Sequence, residues 1–377
     1  KFFLNLYCNS FWAKQLNFDY SFKVGKWKSI AAVHTTQPAN KIDHNNDTFL
    51  DLPQTTKYSF YNKWVYGAQH LYGLYTSITL RYLDEERIGG QIDFNPETDQ
   101  GTTNTYGQVI KFSQPELHLK ASYLLNNGNT IYLKSVLSTH DQKSYFGTTH
   151  YSANQLHYLI NTSYALNWKT HKLTTGLDYK LLNLQENIFL NNIFEPYHTY
   201  SGDYDKYETR NGLFIENTFK WKNNIELITG IRFDLFNNDK IFTSPRMLLK
   251  YDFTEKSVGR ISVGKGWRSF HTFSEHVKLF GSNRNLIISN DLEPEEAINL
   301  GTNFIQSFSV NNISFDLIVD FYKTLFSNHI MGDWNRSYYN IYVENFKGKT
   351  ISNSFQIELG ANISKSTALK VGYNYLD

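Results

Sequence analysis

Alternation of apolar and polar residues at a period of two constrains this chain more than any other feature. In the run from Ile225 to Leu235, one set comprises Ile225, Leu227, Thr229, Ile231, Phe233 and Leu235; the other comprises Glu226, Ile228, Gly230, Arg232 and Asp234. Side chains on a strand point alternately to opposite faces, so this run has one greasy face and one wet, charged face. The same split recurs in Leu173–Leu181, Ile313–Tyr322 and Ser354–Ile363. Helix-period patterns of comparable length are absent.

The connectors add a second pattern. Short turns such as Val24-Gly25-Lys26, Asn126-Asn127-Gly128-Asn129, Lys222-Asn223-Asn224 and Val310-Asn311-Asn312 join pairs of strands. Between the pairs lie long polar segments, at residues 36–56, 85–114, 141–154, 185–210, 267–295 and 327–350. An up-and-down antiparallel sheet then has its tight turns at one end and its long loops at the other, as a transmembrane β-barrel does. The pattern predicts roughly 16 or 17 strands, each about the 9–11 residues that cross a bilayer at a tilt.

Composition fits this reading and excludes others. The 28 Phe, 27 Tyr and 7 Trp rule out disorder, while a mean hydropathy of −0.47 rules out spanning helices. Aromatics flank many expected strand ends: Tyr58, Tyr61, Trp64 and Tyr66, then Tyr151, Tyr158, Trp168, Trp221 and Trp267. Amphipathic rings favour the headgroup level of a bilayer. Charge is balanced, 37 basic residues against 35 acidic, so nucleic acid is not an expected partner. Cys8 is the single cysteine, which excludes an intrachain disulfide. A propeller would show a repeat of about 40–50 residues, and none is visible. A multi-domain sandwich needs linkers, yet no Ser/Gly/Pro-rich boundary occurs among only 7 prolines. The chain starts Lys1-Phe2-Phe3 without a signal peptide and stops inside the alternation Val371–Asp377, so it reads as an internal piece of a longer protein.

Several segments resemble TonB-dependent receptors, the outer-membrane active transporters of Gram-negative bacteria. Ser244-Pro245-Arg246 to Tyr251, followed by Gly259-Arg260 to Gly266-Trp267-Arg268, is similar to the family's "PR…Y … G-aromatic-R" strand pair. Phe273-Ser274-Glu275 and Leu292-Glu293-Pro294-Glu295 to Asn299-Leu300-Gly301 resemble the "F-x-E … L-x-P-E … N-x-x-x-G" stretch that follows. Lys41 to Pro53, with Arg87-Ile88-Gly89-Gly90-Gln91 downstream, is similar to a loop of Bacteroidetes members. The resemblance implies an outer-membrane location, a 22-stranded barrel with a plugged lumen and a chain comprising roughly three-quarters of that barrel. The plug, its TonB box and the C-terminal strand are missing from the pattern. Residues 1–377 would all belong to the barrel domain. It also implies import of a scarce substrate (ferric siderophore, haem, cobalamin or small glycan) and partnership with outer-membrane lipid. The TonB–ExbB–ExbD complex would act through the plug.

The catalytic patterns H-E-x-x-H, G-x-S-x-G and a Cys pair are not present, and no enzyme is expected. Gly348-Lys349-Thr350 imitates a phosphate loop, but Val343 stands where its first Gly belongs. Arg268 and Glu275 fall, by the resemblance, at the barrel rim and the start of an outer loop, where substrate contact and structural pairing are both open. His271 and His276 form the one histidine pair in such a loop, as metal or haem ligands or simply solvated residues. Asp43, Asn45, Asp47 and Asp51 alternate short oxygen side chains as the first positions of a calcium-binding EF-hand loop do. Thr48 replaces the sharp-turn Gly and Gln54 the bidentate Glu, and turn chemistry explains the same residues without an ion. The inward charges Glu226, Arg232, Asp234, Arg260, Arg268, Asp316, Asp320 and Glu358 should line a polar wall, with many partners supplied by the plug. A passive porin-like channel is the second reading, and a soluble all-β carbohydrate-binding or hydrolase domain the third.

Overall fold

A computed structural model describes residues 1–68, 72–190, 200–222, 224–275, 277–281, 284–311, 313–364 and 366–377. Its wall begins with β1 (Phe2–Cys8), β2 (Lys14–Val24), β3 (Trp27–Gln37), β4 (Gln54–Tyr66), β5 (Gly73–Gly90) and β6 (Gly107–Leu124). It continues through β7 (Thr130–Phe146), β8 (Thr149–Trp168), β9 (His171–Leu190), β10 (Gly202–Trp221) and β11 (Ile225–Phe236). Next come β12 (Lys240–Thr243), β13 (Arg246–Thr254) and β14 (Ser257–Arg268). A helical turn α1 (Thr272–Glu275), a 3-10 turn (Val277–Gly281) and β15 (Asn285–Ile288) precede wall strands β16 (Glu295–Val310) and β17 (Ile313–Ser327). β18 (Ile330–Asp333) and β19 (Asn340–Asn345) lie off the wall, which resumes with β20 (Thr350–Asn362) and β21 (Ala368–Leu376). Among the described residues, no helix is long and apolar enough to cross a membrane.

Neighbours in sequence pair antiparallel throughout the wall. β12 and β13 lie end to end along β11. They part at Ser244-Pro245, where Ser244 still exchanges both main-chain bonds with Arg232 and Pro245 has no N–H to give. Counting β12 and β13 as one, the 18-stranded sheet has 17 staves, within the expected number. The period-two pattern sets its register. Leu4, Phe18, Val33, Phe60, Tyr82 and Pro115 stand directly opposite one another across β1 to β6. Leu249, Ile261, Thr302, Phe321, Phe355 and Tyr375 do the same across β13 to β21. These rows form the exposed apolar face, with Phe60 and Phe321 each 42% exposed.

Every second connection is short, and residues such as Gly25, Gly128, Lys169, Lys222 and Asn311 turn there with positive φ. Rings gather at this end on the apolar side: Trp27 lies 5.4 Å from Tyr66, and His171 lies 4.7 Å from Phe219. The opposite end differs from expectation. Strands β5 to β10 have 17–20 residues, against 11–13 for β2 to β4. At about 3.3 Å per residue, 20 residues extend about 66 Å, which at a tilt of about 40° far exceeds an apolar band of about 25 Å. The upper parts of these strands therefore rise beyond the band as a tall half-wall. Residues 141–154 are a hairpin closed at Gly147 (φ 59°) rather than a loop. Polar strands above the band lack the apolar alternation that marks strands within it, which is why the sequence reads as loop there.

The two loops that follow β14 and β17 fold together into a cap. β15 pairs parallel with β19, and β18 pairs antiparallel with it. Phe270, Phe273, Phe280, Leu286, Ile341 and Val343 of the cap pack on Phe146, Tyr151, Ala153 and Ile188 of the half-wall. Those wall residues share the inner face, so the cap leans across the mouth of the sheet. Fully burying one such ring or branched chain contributes about 1.5–3 kcal/mol. Tyr151 is thus buried at 2% exposure under the cap instead of lying at an interface. Trp267 likewise points inward, donating to Asp234 Oδ2 at 2.9 Å.

Candidate functional site

Strand alternation places Tyr204, Lys206, Glu208 and Arg210 on the inner face of β10, above and at the edge of the apolar band. β14 delivers Arg268 at its last residue, so the cap leaves the wall directly opposite those groups. The junction is held by a chain of ion pairs and hydrogen bonds. Arg268 Nε donates to Glu295 Oε2 at 2.5 Å and Arg268 Nη1 to Glu275 Oε2 at 2.8 Å. The other oxygen of Glu275 accepts the His271 N–H at 2.9 Å, and the other oxygen of Glu295 accepts the Ile330 N–H at 2.7 Å. One Arg therefore ties the first cap loop to the second. The His271 ring meets Glu208 Oε1 at 3.1 Å, and Ser269 donates to Glu208 Oε2 at 2.8 Å. Lys206 Nζ donates to the Phe270 carbonyl at 2.7 Å, and the Tyr151 hydroxyl donates to Glu186 Oε1 at 2.7 Å.

The electrostatics follow from burial and pairing. Burial raises the Glu208 carboxyl, but hydrogen bonds from His271 and Ser269, with the nearby Lys206 charge, outweigh it and hold the group below its ordinary value. Glu186 is pushed up, because burial exceeds the help of Tyr151 and Lys206. Burial likewise pushes Lys206 down, against the pull of Glu208 and Glu186. The arrangement anchors and binds; its acids, bases and hydroxyls are committed to one another.

Beside this junction lies a cleft of about 730 Å³ between β10, the β11–β12 turn and the cap segment 286–294. A smaller cavity of about 170 Å³ shares Glu208, Phe236 and Ser269 with it and reaches Lys180 and Arg210 on the inner face. Lower on the wall, register sets Asp178, Gly212 and Asp234 in one inward row. The Arg232 guanidinium lies over Gly212 and bonds Asp178 Oδ1 at 2.7 Å and, through Nε, Asp234 Oδ1 at 2.8 Å. A Cβ at Gly212 would collide with that guanidinium and stand 2.8 Å from Asp178 Oδ1.

The structure thus brings Arg268, His271 and Glu275 together; His276 lies outside the described residues. The inward charges find more partners within the wall than expected. Arg260 and Asp320 both bond Asn303, Asp316 bonds Ser307, and Glu358 meets Lys370 at 2.7 Å. In the 43–51 loop, the short oxygen side chains bind their own backbone. Asp43 accepts the N–H of Asp47 and Thr48, Asp47 that of Phe49, and Asp51 that of His44. Asn45 bonds Asp47. Hydrogen bonds from the His44 ring and main chain hold the Asp51 carboxyl below its ordinary value. Among the described residues, no three His, Cys, Asp or Glu side chains are grouped to hold a metal ion. Sequence reasoning missed Glu186, Lys206 and Glu208. Their signal was present in the alternation Tyr204, Lys206, Glu208, Arg210, but it sat in a segment read as loop.

Residues 10–377 match the family model described as TonB dependent receptor-like, beta-barrel. No curated protein sequence matches the chain. Among solved structures, the copper transporter OprC superposes with a TM-score of 0.72 at 12% identity, over 100% of this chain and 60% of that one. The FrpB iron transporter (F3-3 variant) from Neisseria meningitidis gives 0.69 at 14% identity, over 99% and 61%. The alcaligin outer-membrane receptor FauA from Bordetella pertussis gives 0.66 at 12%, over 99% and 60%. At such identities the likeness is one of fold, and the chain spans about three fifths of the length of these structures.

Proposed function

The chain belongs to the TonB-dependent receptor-like β-barrel family, and on that footing we propose that it forms the wall and outer cap of an active importer in the outer membrane of a Gram-negative bacterium. The short-turn end then faces the periplasm, and the half-wall and cap face outward. The cargo is a scarce small molecule of the siderophore, haem, cobalamin or small-glycan class, and the resemblance of the 41–53 loop favours a Bacteroidetes source. A plug domain would couple the barrel to TonB–ExbB–ExbD, and lipid would cover the apolar rows of the wall. The barrel's part is display, enclosure and passage; covalent chemistry has no role in it.

One observation carries this reading: a wall with an apolar outer face ends in a packed cap that leans over its mouth. An open diffusion pore has no use for such a cap, which argues against the porin-like alternative. Similar solved structures are described as iron, copper and siderophore transporters or receptors, which supports the metal-acquisition side of the proposal. Uptake of labelled substrate by cells carrying the intact gene tests it. Accumulation should stop on adding a protonophore or deleting TonB. Uptake that continues unchanged without the proton-motive force overturns active import in favour of a passive channel.

A further inference from the structure

The last pairing of β10 with β11 is Arg210 opposite Phe236, yet β10 runs on to Gly202. The Asn237 N–H still bonds the Thr209 carbonyl, whereas on the β9 side it is Lys220, an even-numbered residue, that bonds. Odd-numbered residues of β10 therefore aim their main-chain groups toward the β11 side. For Asp203, Asp205 and Tyr207 that side is vacant among the described residues, and no described main-chain group bonds their N–H or C=O. Asp205 and Tyr207 line the cleft described above.

The cap side of the cleft alternates apolar Leu286, Ile288 and Leu292 with polar Ser289 and Asn290, and Phe236 also lines it. Its charges lean one way. Glu186, Asp205, Glu208, Asp239 and Glu293 line it, against Lys206 and Lys240. Lys240 already meets Glu293 at 3.5 Å and Lys206 is bonded to the cap. Asp205 and Asp239 have no ion pair with another described residue. Unpaired donors and acceptors on a strand edge are a template for a further strand.

We propose that this cleft binds a short, basic oligopeptide in extended form, added as a strand to the free edge of β10. Residues 203–207 offer about 16 Å of edge, enough for five or six peptide residues. Alternate side chains of the added strand would point to Leu286, Ile288 and Leu292 of the cap, and the others to Asp205 and Asp239. The excess of carboxylates in the cleft complements a basic strand, and its volume of about 730 Å³, set between β10 and the cap, suits a short free peptide better than a segment of a folded partner. This rests on the importer reading and names a substrate class for it.

The test uses the intact receptor in detergent and a fluorescein-labelled hexapeptide of alternating Lys and Val, read by anisotropy. Saturable binding is expected, weakened about tenfold or more when Glu replaces Lys, and lost when alternate peptide nitrogens are N-methylated. Asp205→Asn combined with Asp239→Asn should weaken binding about fivefold or more. Tyr207→Pro removes an N–H that faces the cleft and no bond to β9, so it should abolish binding while heat-modifiable gel migration stays unchanged. No anisotropy change at millimolar peptide, or equal binding of the N-methylated or acidic peptides, overturns the proposal. Proton-motive-force-dependent uptake of another substrate alongside such a failure would leave the importer reading standing and remove only the peptide.

Discussion

Gly212 shows how a single missing side chain organises the inner wall. The space it leaves is filled by the Arg232 guanidinium, which neutralises Asp178 and Asp234, both nearly fully buried. Burying two carboxylates is costly unless they are paired and hydrogen-bonded. Because two carboxylates hold the guanidinium, it cannot swing aside for a methyl group. Gly212→Ala should therefore lower the wall's stability by about 1–3 kcal/mol, read as a fall of several degrees in the temperature at which the folded gel band gives way to the unfolded one. Gly266→Ala, where a Cβ meets nothing within 4 Å, is the matched control and should change nothing. The Asp43–Asp51 loop yields a second expectation at this scale. Its carboxylates already accept main-chain N–H groups, as turn-forming Asx residues do. Millimolar calcium should then leave thermal stability unchanged. A calcium-dependent rise that Asp43→Asn abolishes would assign the loop an ion.

Among the elements, the junction between β10 and the cap is the one that pH should loosen. Glu208 stands above the apolar band with its carboxyl held below the ordinary value, which is about 4.3 for a free Glu. A depressed folded value means that its stabilising effect is present above the unfolded value and fades as pH falls through the folded one. The cap segment 269–294 should resist pepsin-like proteolysis near pH 5 and open below about pH 4. Glu208→Gln should be cleaved at both. Cleavage of the wild-type chain that is flat across this range would remove Glu208 as a latch. This junction was only half legible in the sequence. Arg268 and Glu275 stood out by resemblance, but their partner Glu295 and the facing Glu208 are separated from them by long stretches of chain. The wall strands within the band were legible because an apolar and a polar face impose opposite demands on alternate residues, as in Ile225–Leu235. The cap was not, because Leu286 and Ile341 meet through a parallel pairing between two different loops. No local period announces such a contact. Tall polar strands such as β8 above Tyr158 fell between the two cases: they are strands, yet both faces meet water or cap.

The whole molecule consists of two parts stabilised by different physics. Among the described residues the wall buries little apolar core of its own; its apolar rows are exposed, while its ladders satisfy the backbone. The cap is held by a packed core in the manner of a small soluble domain, with Phe273 at 2% and Val343 at 0% exposure. Parts with such different sources of stability should open separately rather than in one cooperative step. Phe273 is the most revealing residue for this, since its ring stacks 5.7 Å from Phe280 and lies 4.7 Å from Tyr204, joining cap to wall. Phe273→Ala should cost about 3–5 kcal/mol, which is comparable with all that a core of this size supplies to a small domain. The substituted chain should therefore be nicked within 269–294 by trypsin at room temperature, while its wall still migrates as the folded form and melts at the wild-type temperature. If wall and cap were instead one cooperative unit, the same substitution would lower the melting of the wall in step with the nicking. The two outcomes differ on a single gel, because a cap that opens alone leaves the ladders of the wall untouched.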